Sequence, residues 1–198
     1  MLYFTDILRT ILTKDAVRTI ALKIGASDKE TEWAIETVNA LVIAFLAKQT
    51  TTLQSTTALS KVLDRNKDGS ITDDIQNFVS NLAKGKIDTA EGKEMVEDLF
   101  TEHSQEVLQL ICIATGLTTG GATTVLMAIA PLVIKAVAEE QQKRGWSFQQ
   151  LEHKLSSATT NANHAVTDKV LQLFDKNKDG KIADDICSTV RNLFKKRA

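Results

Sequence analysis

Apolar residues recur along this chain at three- and four-residue spacing, and no stretch alternates as a half-buried strand would, so the pattern predicts helices throughout. Phe4, Ile7, Leu8 and Ile11 share one face of a first helix with Thr5 as its cap. Thr13 or Asp15 opens a second helix, with Val17, Ile20, Ala21 and Ile24 at helical spacing, and Gly25 ends it. Ser27 and Glu30 spell a capping box that starts a third helix running to about Lys48. Its second half, ALVIAFLA (40–47), is apolar on every side and is expected at the buried centre. After a Thr-rich connection at 50–52, Leu59, Val62 and Leu63 belong to a helix that leads into a polar turn. Thr72 is expected to cap the helix leaving that turn, with Ile75, Phe78, Val79 and Leu82 facing inward. The pattern breaks around Gly85, and Met95, Val96, Leu99 and Phe100 mark a new helix from about Thr89.

From there the pattern repeats. Gly25 recurs as Gly116, and TVNALVIAFLA (37–47) as AIAPLVIKAVA (128–138), both 91 positions on (116 − 25, 128 − 37). The polar turns lie 111 apart (175 − 64), so the second half holds about 20 extra residues between its buried helix and its turn. QKRGWSFQQLEHKLSS fits that insertion as a helix near 147–157, with Ser147 and Gln150 as a capping box and Phe148, Leu151 and Leu155 on one face. The expected architecture is all-α: an internally duplicated helical bundle with two helix-loop-helix units, around DRNKDGSITDDI (64–75) and DKNKDGKIADDI (175–186), that resemble EF-hands. Residues 1–88 form the first repeat, with loop 64–74, and residues 89–198 the second, with loop 175–185. The apolar run 122–138 is 17 residues long and contains Lys135 and Pro131, against the roughly 20 apolar residues a membrane span needs, so it reads as a core helix. Pro131 removes one backbone hydrogen bond there, and a bend is expected.

The two polar turns carry the candidate chemistry. DRNKDGSITDDI (64–75) and DKNKDGKIADDI (175–186) agree at nine of twelve positions. A hard divalent cation takes six to eight oxygen ligands, so alternate side chains must curl around one point. Asp64, Asn66 and Asp68 provide that alternation, as do Asp175, Asn177 and Asp179, and Gly69 and Gly180 allow the sharp turn after them. Ser70 and Lys181 then offer backbone carbonyls. The closing carboxylate is Asp74 or Asp73 in the first turn and Asp185 or Asp184 in the second. EF-hand loops end instead in a glutamate, one residue later. The plainer alternative is an Asp/Asn/Gly turn that only caps a helix. Ca2+ at two sites is the expected cofactor, because all-oxygen protein cages suit it better than Mg2+.

Composition narrows the classes. With 24 basic and 25 acidic residues the formal charge is −1, which leaves no electrostatic footprint for nucleic acid. The 43% hydrophobic content suits a packed protein. The N-terminus lacks the charged lead and cleavage site of a secretory signal, and a cytoplasmic location is expected. Cys112 and Cys187 suggest neither a disulfide framework nor a zinc site, and Cys112 reads as an inert buried thiol among Leu108, Ile111 and Ile113. His103, His153 and His164 have no ligand or triad spacing and read as surface residues, and Gly120-Gly121 reads as a helix entrance. No enzyme is expected.

The opening helix, IGASDKETEWAIETVNALVIAFLAK, LDRNKDGSITDDI and ATGLTTGGATTVLMAIAPLVIKAVAEEQ, in this order, resemble a bacterial family of unknown function related to the YidB proteins. The resemblance spans most of residues 1–140 and implies an all-helical bacterial fold with no established activity. Typical members are more glycine-rich in the second half, where this chain is richer in Lys, Gln and Thr. Three functional classes follow: a calcium-braced module, a calcium sensor exposing an apolar surface, and a structural protein that self-associates or holds a protein partner. Ile71 and Ile182 stand where paired EF-hands form an inter-loop β-bridge, which a pseudo-two-fold arrangement would allow.

Overall fold

The structure is a computed structural model that describes Leu8 and residues 11–51, 71–86, 89–100 and 104–160. Among the described residues there are seven helices in the order α1 (Lys14–Ile24), α2 (Asp28–Thr51), α3 (Ile71–Ala83), α4 (Thr89–Phe100), α5 (Ser104–Thr115), α6 (Thr119–Arg144) and α7 (Phe148–Thr160). The regular structure of these residues is all-α, as the apolar periodicity predicts.

Local chemistry sets the boundaries. Thr13 Oγ1 accepts the Ala16 N–H at 3.2 Å and opens α1. Gly25 closes it in the left-handed region at φ 67°, and Gly116 closes α5 at φ 73°, a conformation that costs a residue with a Cβ 1–2 kcal/mol or so. The capping box at α2 is reciprocal: the Ser27 N–H donates to Glu30 Oε2 at 2.8 Å, and the Glu30 N–H to Ser27 Oγ at 3.2 Å. Ser147 and Gln150 make the same pair at α7, at 2.9 and 3.2 Å. Thr118 Oγ1 takes the Gly121 N–H at 3.2 Å to start α6, so Gly120-Gly121 does form a helix entrance.

Helices α2 and α6 pack on each other at the centre of the bundle. The stretch 40–47 of α2 is buried on all sides, as is 128–138 of α6. Their outer faces are covered in turn: α7 lies on α2, while α4 and α3 lie on α6. Helix α1 contacts α2, α3 and α6, and α5 contacts both central helices. This arrangement explains why neither central helix is amphipathic: neighbours surround it. Helix α6 has 26 residues, so by length and composition (mean hydropathy 1.8 over 18 residues) it can cross a membrane, and the length argument from the sequence does not hold. In the fold, 83% of that window is buried against other helices.

Pro131 lies inside α6 and has no N–H for the carbonyl of Met127, four residues back. Helix α4 covers that carbonyl at Gly92. A Cβ on Gly92 would collide with the Met127 oxygen and stand 3.0 Å from the carbonyl carbon. The missing side chain therefore lets two backbones meet where one acceptor has lost its helical donor. Nearby, the rings of Phe45 (α2) and Phe100 (α4) meet edge to face with centroids 4.7 Å apart. Lys135, only 6% exposed in the middle of α6, holds its ammonium 5.4 Å from the centre of the Phe78 ring on α3.

Two helix ends are tied across the bundle. The Trp33 indole N–H donates to the Ala114 carbonyl at 3.0 Å, satisfying an acceptor in the last turn of α5. Thr19 Oγ1 donates to the Ala83 carbonyl at 3.2 Å, the last residue of α3. Gly121, at the start of α6, lies against Ile24 at the end of α1.

Several expectations change. Helix α3 begins at Ile71, so Thr72 is a helical residue and not the flanking cap. Ile71 is correspondingly helical and not in an extended bridge, while Ile182 lies outside the described residues. Ile75, Phe78, Val79 and Leu82 are buried as expected. Phe148, the first residue of α7, is 44% exposed, while Leu151 and Leu155 are fully buried. Cys112 is half-buried, not buried, and its neighbour Ile113 is 69% exposed. The helix expected around Leu59, Val62 and Leu63 lies outside the described residues.

Candidate functional site

Of the residues expected to hold calcium, Asp64, Asn66, Asp68 and Ser70 lie outside the described residues, and so does the whole second set from Asp175 to Asp185. Asp73 and Asp74 belong to the first turn of α3 by backbone; their side chains are not among those described. Among the described residues there is no group of three or more His, Cys, Asp or Glu placed to hold a metal ion. His153 is exposed; His103, His164 and Cys187 lie outside the described residues.

The described residues line a different feature, a half-open groove of about 290 Å3 between α1, α2 and the preceding residues Leu8 and Leu12. Leu8 and Leu12 form one wall, joined by a hydrogen bond from the Leu12 N–H to the Leu8 carbonyl at 2.8 Å. Val17 of α1 and Ile35 of α2 complete the apolar lining. The polar side comes from one stripe of α2: Glu32, Glu36 and Asn39 are spaced four and three residues apart and so share a face. Glu32 is exposed at the mouth, Glu36 is half-buried, and Asn39 is 4% exposed at the floor. Lys14, the first residue of α1, stands exposed at the mouth.

Elsewhere on α2, the Glu30 carboxylate accepts both the hydroxyl (2.7 Å) and the N–H (2.8 Å) of Ser27. The hydroxyl bond, then the backbone bond, hold its pKa below the usual glutamate value. This group is a helix cap and takes no part in the groove. The groove was not visible in the apolar pattern. Its signal was the polar stripe Glu32, Glu36, Asn39 running into an otherwise apolar helix, which reads as an ordinary solvent face until the burial of Asn39 is known.

No curated protein and no solved structure matches the chain. The family described as "Bacterial protein of unknown function (DUF937)" matches residues 6–140, which span α1 to α5, most of α6 and the first DxNxDG sequence. With more than half its length matched in one continuous stretch, this chain belongs to the DUF937 family of bacterial proteins of unknown function.

Proposed function

We propose that this chain is a calcium-binding helical protein of two like halves, in which the two DxNxDG turns each take one Ca2+ and the ions brace the fold. The carrying observation is the near-identity of the turns, nine positions in twelve, with oxygen-bearing residues at the first, third and fifth places of each. The start of α3 at Ile71 supports it, because it sets positions 73 and 74 in a helical first turn, where the helix dipole favours carboxylates. Each turn carries four aspartates (64, 68, 73, 74 and 175, 179, 184, 185), which repel one another without a cation.

Two-fold repetition is supported by burial. Every buried position of α2 from Thr31 to Ala47 has a buried counterpart 91 residues on, from Ala122 to Ala138. Ala16 and Ile20 of α1 correspond likewise to buried Val107 and Ile111 of α5. The cross-contacts are reciprocal in kind: α2 meets the end of α5 through Trp33, and α6 meets the end of α1 through Gly121.

Calcium that binds the folded chain stabilises it by mass action, by about 2.7 kcal/mol per site at a hundredfold excess over Kd. Thermal unfolding in millimolar Ca2+ and in chelator tests this, with a rise of several degrees expected. An unchanged midpoint overturns the reading.

A second reading, self-association of a structural protein, is favoured by two exposed apolar residues at corresponding positions. Leu22 of α1 is 76% exposed and Ile113 of α5 is 69% exposed, 91 residues apart (113 − 22). Light scattering separates the two: a monomer with and without calcium removes the second reading.

A further inference from the structure

We propose that copies of this chain associate head to tail, the exposed face of α1 in one copy seated on the exposed face of α5 in the next. The inference rests on the self-association reading above, and it names the two surfaces that meet.

Among the described residues, the large apolar side chains left exposed are Leu22, Ile113 and Phe148. One such residue alone is ordinary on a protein surface. Leu22 and Ile113, however, recur at corresponding places 91 residues apart, and packing does not call for either. The inward faces of their helices are already filled by Ala16 and Ile20 in α1 and by Val107, Leu110 and Ile111 in α5. The ground beside each is open to an approaching helix. Gly25 and Gly116, three residues on, are exposed, and nothing lies within 4 Å of where a Cβ would stand on either. Half-buried Ala26 and Leu117 follow them and widen the apolar ground.

Charge decides which faces meet. Lys14, Asp15, Arg18 and Lys23 are exposed on α1, and three bases with one acid give +2. The same places in α5 hold Gln105, Glu106, Gln109 and Ala114, which give −1. Two α1 faces brought together, or two α5 faces, meet their own sign. An α1 face against an α5 face meets the opposite one. Such a contact is heterologous: every added copy leaves one face of each kind unused, so growth continues past the dimer. A contact between two short helices is small, so association is weak and shows at high concentration.

Sedimentation velocity of the full chain from about 10 μM to about 1 mM tests this. The average mass should rise with concentration beyond that of a dimer. Leu22→Glu and Ile113→Glu alter exposed positions and should leave the circular dichroism unchanged, while each disables one face. Either variant alone should stay monomeric. Mixed in equal amounts they should form a 1:1 complex and nothing larger, because one keeps its α5 face and the other its α1 face. Arg18→Gln gives α1 a residue of the kind α5 carries there, and should weaken association about two- to fivefold. An unaltered chain that stays monomeric throughout overturns the inference together with the reading it rests on. Association that either single variant retains, that Arg18→Gln tightens, or that the mixture fails to restore overturns the head-to-tail contact and leaves self-association standing.

Discussion

Replacing Gly92 by alanine sets helix propensity against packing, and the structure decides which prevails. In a helix interior alanine is favoured over glycine by about 1 kcal/mol, so α4 alone would gain from the change. The new methyl, however, would stand 3.0 Å from the Met127 carbonyl carbon and 3.1 Å from its Cα, where ordinary contact begins at 3.4 Å. Helices α4 and α6 must therefore separate by at least 0.4 Å (3.4 − 3.0) at this point, because the obstacle is backbone and cannot turn aside. A gap of that order across the face that buries Met95, Val96, Leu99 and Phe100 forfeits a substantial part of its dispersion contacts. Overpacking of this kind costs about 1–3 kcal/mol. The Met127 carbonyl, which Pro131 leaves without a helical donor, also loses the close Cα–H of Gly92, a contact of about 0.5–1 kcal/mol. After the propensity gain is subtracted, Gly92→Ala should destabilise the chain by about 0.5–3 kcal/mol, or about 1–12 °C in Tm. Urea unfolding followed by circular dichroism measures this. Gly120→Ala is the control, since nothing lies within 4 Å of a Cβ there, and it should be neutral or slightly stabilising. If the two variants shift stability alike, the close approach of α4 to Met127 is not a constraint and the reasoning fails.

Other perturbations have equally definite outcomes. The hydrogen bonds from Ser27 stabilise the ionised form of Glu30, so its pKa is lower folded than unfolded. The cap is therefore fully present above the unfolded value and is lost as pH falls through the folded value. An NMR titration should show the Ser27 amide following that acid transition, while the Ser147 amide, paired with the non-titrating Gln150, shows no such step. Trp33→Phe keeps an apolar ring but removes the donor to the Ala114 carbonyl, and should cost about 1–2 kcal/mol in urea unfolding. No loss would mean that solvent satisfies that carbonyl. Phe100→Ala removes a fully buried ring that meets Phe45 edge to face, and should cost about 3–5 kcal/mol by the same assay, with less than 1 kcal/mol contradicting its place in the core.

The helices and their ends were largely legible from local chemistry. Ser27 with Glu30, Ser147 with Gln150, and the glycines at 25 and 116 specify their boundaries through neighbours within four residues, so no tertiary information was needed. The all-round apolar stretches of α2 and α6 likewise announced central helices. What stayed hidden depends on residues far apart in the chain. Gly92 reads as a weak point in a helix until Met127 is found against it, and nothing in the apolar pattern joins Pro131 to α4, which covers the carbonyl that Pro131 frees. The apolar run 122–138 understates α6, because the flanking Thr119–Gly121 and Glu139–Arg144 segments are also helical. Lys135 signalled only that a span was less favoured; its place over the Phe78 ring needed the packing of α3 on α6. The groove escaped notice because exposed Glu32 and buried Asn39 have the same helical phase, and phase alone does not reveal depth.

Calorimetric titration of the full chain with Ca2+, alongside Asp64→Ala, Asp175→Ala and the double variant, tests the central claim most directly. Two ions per chain, falling to one in each single variant and none in the double, is the predicted result. Heats no different from those of dilution in the unaltered chain, or a stoichiometry unmoved by either substitution, would contradict it.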